Sequence, residues 1–326
     1  MNERKIGIDI LKFLAVIFIL NSHMGSLYVK FPMLATGGAI GNALFFFCSG
    51  FTLFLKPFGT ARDFPNWYKV RINRIYPTVF AVAIVLCTFF DYRPDINYII
   101  LYGGLWFVTC IMVYYVIIYF IGVYFSDRLN WVLAIVAVAF CALYYARVDF
   151  FPYSLYADDV LELKRFLYFV FMLFGARMGM MDTSRQSRRQ WLNLLLALLC
   201  VAAFYVLCGV TIKVEKLAFL HVFTFVVMMA LLYFLYLWAD GDFARRVYQS
   251  RVGHFIIRFV DGLCLEIYVI QNWLITDRMN FMFPLNIPIM FCIIILAAYL
   301  IRCFARFLSQ TFKDGPYDWK KMVSAY

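Results

Sequence analysis

Charge is what this sequence lacks most. Only 15% of its 326 residues are Asp, Glu, Lys or Arg, 65% are hydrophobic, and the mean hydropathy is +0.80. A soluble domain carries roughly 25% charged residues. There is too little polar surface here to cover a water-facing sphere, so lipid must cover part of it. Acidic groups are the scarcer sign, 19 against 30 basic ones, which leaves a net charge of +11. In a soluble protein that excess would suggest nucleic acid. Here the basic residues sit in short clusters between apolar runs, the pattern of membrane loops, and no nucleic-acid partner is expected. Histidine is nearly absent: His23, His221 and His254 lie far apart and give no metal spacing. None of the nine cysteines forms a CxxC pair and nearly all fall inside apolar runs, which reads as small packing residues in helices and not as metal ligands. Internal repeats, low-complexity segments and an appended soluble domain are also missing.

What is present is a succession of apolar runs. A spanning helix needs about 20 mostly apolar residues. The qualifying stretches are 6–27, 38–56, 71–90, 97–125, 131–147, 163–181, 190–212, 216–238, 260–276 and 285–309. The expected fold is therefore an all-α, polytopic membrane bundle of about ten transmembrane helices over residues 1–309, with a short cytoplasmic tail over 310–326. The first run follows Arg4 and Lys5 like a signal peptide, but Asp9 and Lys12 interrupt it and no small-residue cleavage site follows Leu20. It reads as a first helix that stays. Alternating ten spans places 21 Lys and Arg residues on one face and 8 on the other, with Lys12 inside the membrane. The positive-inside rule then puts both termini in the cytoplasm. Residues 242–259 interleave Phe243, Val247, Phe255, Ile256 and Phe259 with Arg245, Arg246, Arg251 and Arg258, which predicts an amphipathic helix on the cytoplasmic surface.

Ionisable groups inside a span are costly, so each needs a reason. The first span holds Asp9, Lys12 and His23. Eleven residues separate Lys12 from His23, about three full helical turns, so both project from one stripe roughly 16 Å apart along the axis. Asp9 lies one turn from Lys12 and can pair with it. The alternative is that Lys12 and His23 snorkel to opposite interfaces. Before the third span, WYKVRINRIYP carries Lys69, Arg71 and Arg74. Arg71 and Arg74 share a helix face, and paired guanidinium forks match phosphate oxygens. Ordinary interfacial anchoring explains Lys56, Arg62 and Lys69 better than it explains these two. Glu266, in GLCLEIYVIQNWLI, falls near the middle of a span and needs a partner. It is read either as the counter-ion of a buried base, Lys12 or Arg71, or as a catalytic group, with Tyr268 and Gln271 roughly on the same side. Asn42, Ser49-Gly50, Trp106 and His221 are weaker signals: Ser49-Gly50 also suits close helix packing, Trp106 an interfacial belt, and His221 a structural role.

These segments resemble a known family. GIDILKFLAVIFILNSH, FFFCSGF, KVRINRIYP, LWFV and LEIYVIQ are similar, in order, to the landmarks of the acyltransferase-3 family of membrane acyltransferases. The resemblance implies a ten-helix bundle that moves acyl groups, often acetyl from acetyl-CoA, onto extracytoplasmic glycans. The family's basic residue followed by an essential histidine maps onto Lys12 and His23, and its basic pair onto Arg71 and Arg74. The sequence departs from the pattern in three places: Lys12 stands for the usual Arg, and Gly104 and Gln271 stand where His is often found.

The expectation is then an O-acyltransferase in a bacterial plasma membrane. Arg71, Arg74 and Lys12 hold the phosphates of an acyl-CoA donor at the inner face. His23 acts as general base on a hydroxyl of an extracytoplasmic or lipid-linked glycan, or forms an acyl-histidine intermediate. Glu266 stands with His23 as the catalytic candidate, and Asn42, Ser49, Trp106, Tyr268 and Gln271 are candidates for substrate contacts. No metal is expected, and the oligomeric state is open, a homo-oligomer included. The rival class is a secondary transporter of a small anionic or sugar-derived substrate. It predicts matching charged clusters in two halves, and Asp9, Lys12 and His23 have no counterpart halfway along. An inactive scaffold for polysaccharide assembly fits less well with Lys12, His23, Arg71 and Arg74 all in place.

Overall fold

The computed structural model describes residues 6–92, 95, 106–147, 155–156 and 161–325. The Gly103-Gly104 pair, and with it the position where a histidine was expected before LWF, lies outside the described residues. Among the described residues the chain is helical and carries no strand. The long helices are α1 (Ile6–His23), α2 (Gly38–Leu53), α3 (Phe64–Phe89), α4 (Trp106–Phe125), α5 (Leu129–Arg147), α6 (Leu161–Gly179), α7 (Gln190–Lys213) and α8 (Thr224–Ala239). They are followed by α9 (Asp242–Gln249), α10 (Arg251–Gly262), α11 (Cys264–Leu274) and α12 (Asn286–Thr311).

Among the described residues, seven stretches are long and apolar enough to cross a membrane: Ile6–His23, Pro32–Leu53, Ala61–Phe89, Trp106–Ala146, Gln190–Lys213, Glu215–Ala239 and Asn286–Thr311. The fourth, at 41 residues, holds both α4 and α5, joined by a tight turn over Ser126–Arg128. Two expected spans are not among the seven, each for a physical reason. The helix covering most of 163–181 is α6, which carries Glu162, Lys164, Arg165 and Arg177. The stretch 260–276 is not one helix: α10 ends at Gly262 and α11 has only 11 residues, about 16 Å of rise, half a hydrocarbon core. The single amphipathic helix expected over 242–259 is likewise two, α9 and α10, because Ser250 between them is extended (φ −64°, ψ 146°).

The chain packs as two compact units. The first comprises Met1–Ala15, Ala39–Phe58 and Phe120–His254. Within it α2 and α6 touch backbone to backbone at glycines. A Cβ on Gly50 would lie 1.8 Å from the Met172 carbonyl oxygen, one on Gly175 2.0 Å from that of Phe47, and one on Gly179 2.6 Å from that of Phe51. In membranes, where lipid is as apolar as leucine, such small residues let helices associate through close packing. Aromatic rings fill the rest of this seam: Phe46 stacks on Tyr168 at 5.3 Å, and Phe51 meets Tyr236 of α8 at 5.0 Å. At the start of α1, Gly7 rests on the backbone of Ala239 and Asp240, and buried Asp9 accepts a 2.8 Å hydrogen bond from Tyr248 Oη. The span expected over 216–238 begins with a nine-residue 3-10 segment, Glu215–Phe223, far longer than such segments usually run. His221 lies in it.

The second unit comprises Val16–Gly38, Gly59–Tyr119 and Phe255–Tyr326. Its centre is the contact of α3, α11 and α12. Arg306 of α12 ties down the tail by donating to the carbonyls of Lys321, Met322 and Ser324. At the other end, the turns after α1 are held by asparagines. Asn280 Nδ2 donates to the Ser26 carbonyl and Asn286 Nδ2 to that of Leu27, both at 2.9 Å.

Candidate active site

His23 is the last residue of α1 and is exposed. The backbone around it is fixed by its neighbours. Asn21 Nδ2 donates to the carbonyls of Leu34 and Thr36 at 2.7 and 2.9 Å, and Asn21 Oδ1 accepts from Tyr28 Oη at 2.5 Å. Ser22 Oγ donates to the Ile19 carbonyl, a side-chain bond back onto the last turn of α1. The NSH triplet thus closes the helix and anchors the chain that follows. Sequence reasoning singled out His23 and passed over Asn21, Asn280 and Asn286. Their one visible signal is an amide placed at the edge of an apolar run.

Lys12 is half-buried on α1, eleven residues before His23 on the same continuous helix. It belongs to the first unit with Asn42 and Ser49. His23, Arg71, Arg74, Trp106, Glu266, Tyr268 and Gln271 belong to the second. Asn42 and Ser49 are half-buried on α2, and Asn42 Oδ1 is enclosed with no hydrogen-bond partner among the described residues. Gly50, beside Ser49, serves the close packing against α6.

Arg71 and Arg74 lie inside α3 and not at its start, because the helix begins at Phe64. The turn before it is capped by Asp63, whose Oδ2 accepts from the Thr60 N–H and hydroxyl at 2.7 and 2.9 Å. Trp67 therefore falls one helical turn before Arg71, and the guanidinium folds back onto it. Arg71 Cζ sits 3.6 Å from the indole centroid, and Nη1 donates to the Trp67 carbonyl at 3.0 Å. Tyr115 meets the indole edge-on at 6.0 Å and Tyr119 lies 4.8 Å away. Arg71 is half-buried, whereas Arg74 is exposed.

Glu266 is buried, and both of its oxygens are engaged. Thr78 Oγ1 of α3 donates to Oε1 at 3.1 Å, and Arg302 Nη2 of α12 donates to Oε2 at 3.3 Å. The side chains of the ion pair are 8% and 11% exposed, so it is sealed from bulk water. The base paired with Glu266 is thus Arg302, and neither Lys12 nor Arg71 as expected. Room for the guanidinium comes from Gly262, where a Cβ would lie 2.9 Å from Arg302 Nη1. Tyr268 and Gln271, also on α11, are buried. Tyr268 packs on Phe107 of α4 with ring centroids 4.9 Å apart, and Gln271 Oε1 has no hydrogen-bond partner among the described residues. Trp106, at the head of α4, is half-buried.

His221 is the opposite of His23. It is buried, its Nε2 accepts from the Leu155 N–H at 3.1 Å, and its Nδ1 lies 2.7 Å from Thr211 Oγ1. Both ring nitrogens are committed to structure.

An all-helical chain with seven membrane-length apolar stretches, a guanidinium pair on one helix and a histidine closing another defines a multi-pass membrane protein. Neither the curated proteins nor the solved structures provide a match. The acyltransferase-3 model, described as an acyltransferase domain, matches residues 5–305. The chain belongs to that family and is a membrane acyltransferase.

Proposed function

We propose that this protein transfers an acyl group, acetyl by default, from a cytoplasmic acyl-CoA to a hydroxyl of an extracytoplasmic or lipid-linked glycan. In this reading it crosses a bacterial plasma membrane ten times with both termini in the cytoplasm. The seven apolar stretches count as eight crossings once α4 and α5 are separated, and α6 and the α10–α11 pair supply the other two. The 21-to-8 division of Lys and Arg sets the orientation.

Arg71 and Arg74, with Lys12, hold the donor's phosphates. His23 accepts the proton of the sugar hydroxyl as its oxygen attacks the thioester carbonyl. The carbon–sulfur bond then breaks, and the leaving thiolate takes up a proton to become free CoA. An acyl-His23 intermediate uses the same residues in two steps. Glu266, with both oxygens engaged, acts through Thr78 and Arg302 as a positioning residue. The amide oxygens of Asn42 and Gln271, without a donor among the described residues, suit sugar hydroxyls, because an enclosed acceptor without a donor is costly until a ligand supplies one.

One observation carries the reading beyond the family: α1 runs unbroken from Ile6 to His23. Lys12 and His23 therefore share one stripe at roughly 16 Å, a span that suits a phosphate head at one end and a thioester at the other. The test is to give the purified protein radiolabelled acetyl-CoA and a glycan extract. Label is expected in glycan, lost in His23→Ala and retained in His221→Ala. Uptake of substrate into proteoliposomes without acylation would replace this reading with transport.

A further inference from the structure

An arginine that only neutralises phosphate needs charge and reach. Arg71 has something more, a guanidinium laid flat on the Trp67 indole at 3.6 Å and pinned there by the bond from Nη1 to the Trp67 carbonyl. Two aromatic rings in turn brace the indole, Tyr115 edge-on and Tyr119 at 4.8 Å. Tyr119 is itself buried and fixed by its hydroxyl, which donates to the Thr60 carbonyl at 2.7 Å. Phe64 packs on both Tyr68 and Tyr119 with ring centroids 5.3 Å apart. Ordering a long side chain normally opposes binding, and here that ordering is complete before a ligand arrives. The arrangement lies wholly within one unit of the chain.

The indole covers one face of the guanidinium, and Arg71 is only half-buried. A planar cation stacked on a ring offers a second ring the same kind of face, and arginine takes part in base stacking in this way. One turn further on, exposed Arg74 supplies a mobile charge for phosphate. Flat face and charge together match a nucleotide better than they match a bare phosphate.

We propose that the Trp67–Arg71 stack is the base-recognition part of the donor site, taking the purine ring of a nucleotide-bearing thioester on the guanidinium face turned away from the indole. This rests on the acyl-CoA reading above and narrows it: the donor is selected for its nucleotide end, against thioesters carried on phosphopantetheine alone.

The test uses the full chain in nanodiscs and two donors, acetyl-CoA and S-acetylphosphopantetheine, which share the thioester and differ in the nucleotide. The wild type is expected to show the lower KM with acetyl-CoA. Base stacking on aromatic and arginine faces is worth about ten-fold or more per base, so Trp67→Leu is expected to raise the ratio of the two KM values, acetyl-CoA over S-acetylphosphopantetheine, about ten-fold. Fluorescent 1,N6-etheno-CoA gives a direct signal, quenched on binding to the wild type and not in Trp67→Leu. If that variant aggregates, Arg71→Lys keeps the charge, removes the flat face and is expected to shift the ratio the same way. An unchanged ratio in both variants, with quenching retained, overturns the proposal and leaves Trp67 as packing. No transfer from either donor by the wild type overturns the thioester reading and this proposal with it.

Discussion

The Glu266–Arg302 pair allows a quantitative test. Arg302→Met removes the guanidinium but keeps an unbranched chain, so Glu266 is left with the Thr78 hydroxyl and the more distant charge of Arg306 in a site that is 8% exposed. At the 3.3 Å separation of the pair and an effective dielectric of about 20, the lost attraction is about 5 kcal/mol. Part of that is offset, because the guanidinium no longer has to be desolvated. Breaking one side of a buried pair costs about 3–5 kcal/mol in practice. Each kcal/mol moves Tm by about 2–4 °C in a chain of roughly 200 residues and by less in a longer one. A fall of about 5–10 °C is therefore expected for Arg302→Met in detergent. The double variant Glu266→Met/Arg302→Met removes both charges and is expected to recover most of the loss, since apolar replacements of whole buried pairs are often neutral or stabilising. A single variant that melts with the wild type, or a double variant no better than the single, would refute the argument that this pair holds α3, α11 and α12 together. Kinetics add a second check: Glu266→Gln should leave the shape of the kcat–pH profile intact, and a lost limb would return Glu266 to the chemistry.

Three further outcomes follow from local geometry. His221→Ala takes the acceptor from the buried Leu155 N–H and is expected to cost about 1–3 kcal/mol, seen as a lower Tm with kcat kept within a few-fold; a thousand-fold loss of kcat would contradict the structural role. Asn21→Ala removes the bonds to Leu34, Thr36 and Tyr28 that set the chain beside His23. Small misplacements of a reacting group are expensive, so kcat should fall about ten-fold or more while the donor KM holds; an unaltered kcat would show that the loop does not position His23. Gly175→Ala forces a Cβ to within 2.0 Å of the Phe47 carbonyl oxygen and should destabilise by about 1–3 kcal/mol through overpacking. Gly209→Ala on α7 meets nothing within 4 Å and should stabilise by about 0.5–1 kcal/mol. Equal melting of these two variants would remove the glycine contact from the account of α2–α6 packing.

Much of the helical layout was legible because apolar periodicity and run length are local properties. The first two runs, 6–27 and 38–56, correspond to α1 and α2 within a few residues. Errors arise where local rules compete. Hydropathy alone starts the third run at residue 71, yet the helix begins at Phe64, with Pro65 in its first turn and a capped 3-10 turn over Ala61–Asp63 just before it. That shift hid the relation of Trp67 to Arg71. The run 260–276 looked continuous because hydropathy does not register the break at Gly262–Leu263 between α10 and α11. Arg302 was missed for another reason. Positive-inside counting treats every basic residue at the end of a span as a loop anchor, and its partner lies 36 residues away on another helix. Only packing brings a carboxylate and a guanidinium of that separation into one sealed site.

The two membrane histidines show how packing sharpens a choice that sequence leaves open. A general base needs a ring nitrogen that can receive a proton without destroying the structure around it. At His221 the Leu155 N–H points at Nε2, so that nitrogen bears no proton and Nδ1 carries the one of the neutral ring. Nδ1 then donates to Thr211 Oγ1, whose own proton goes to the Leu207 carbonyl at 2.6 Å. Protonating Nε2 would set two donors against each other in a buried site, at the cost of the Leu155 bond. His23 stands instead at an exposed helix end, followed by turns that Asn21, Asn280 and Asn286 hold. Protonation at His221 would therefore dismantle the contacts that hold that ring, whereas His23 stands where a solvent-borne or ligand-borne proton can reach it.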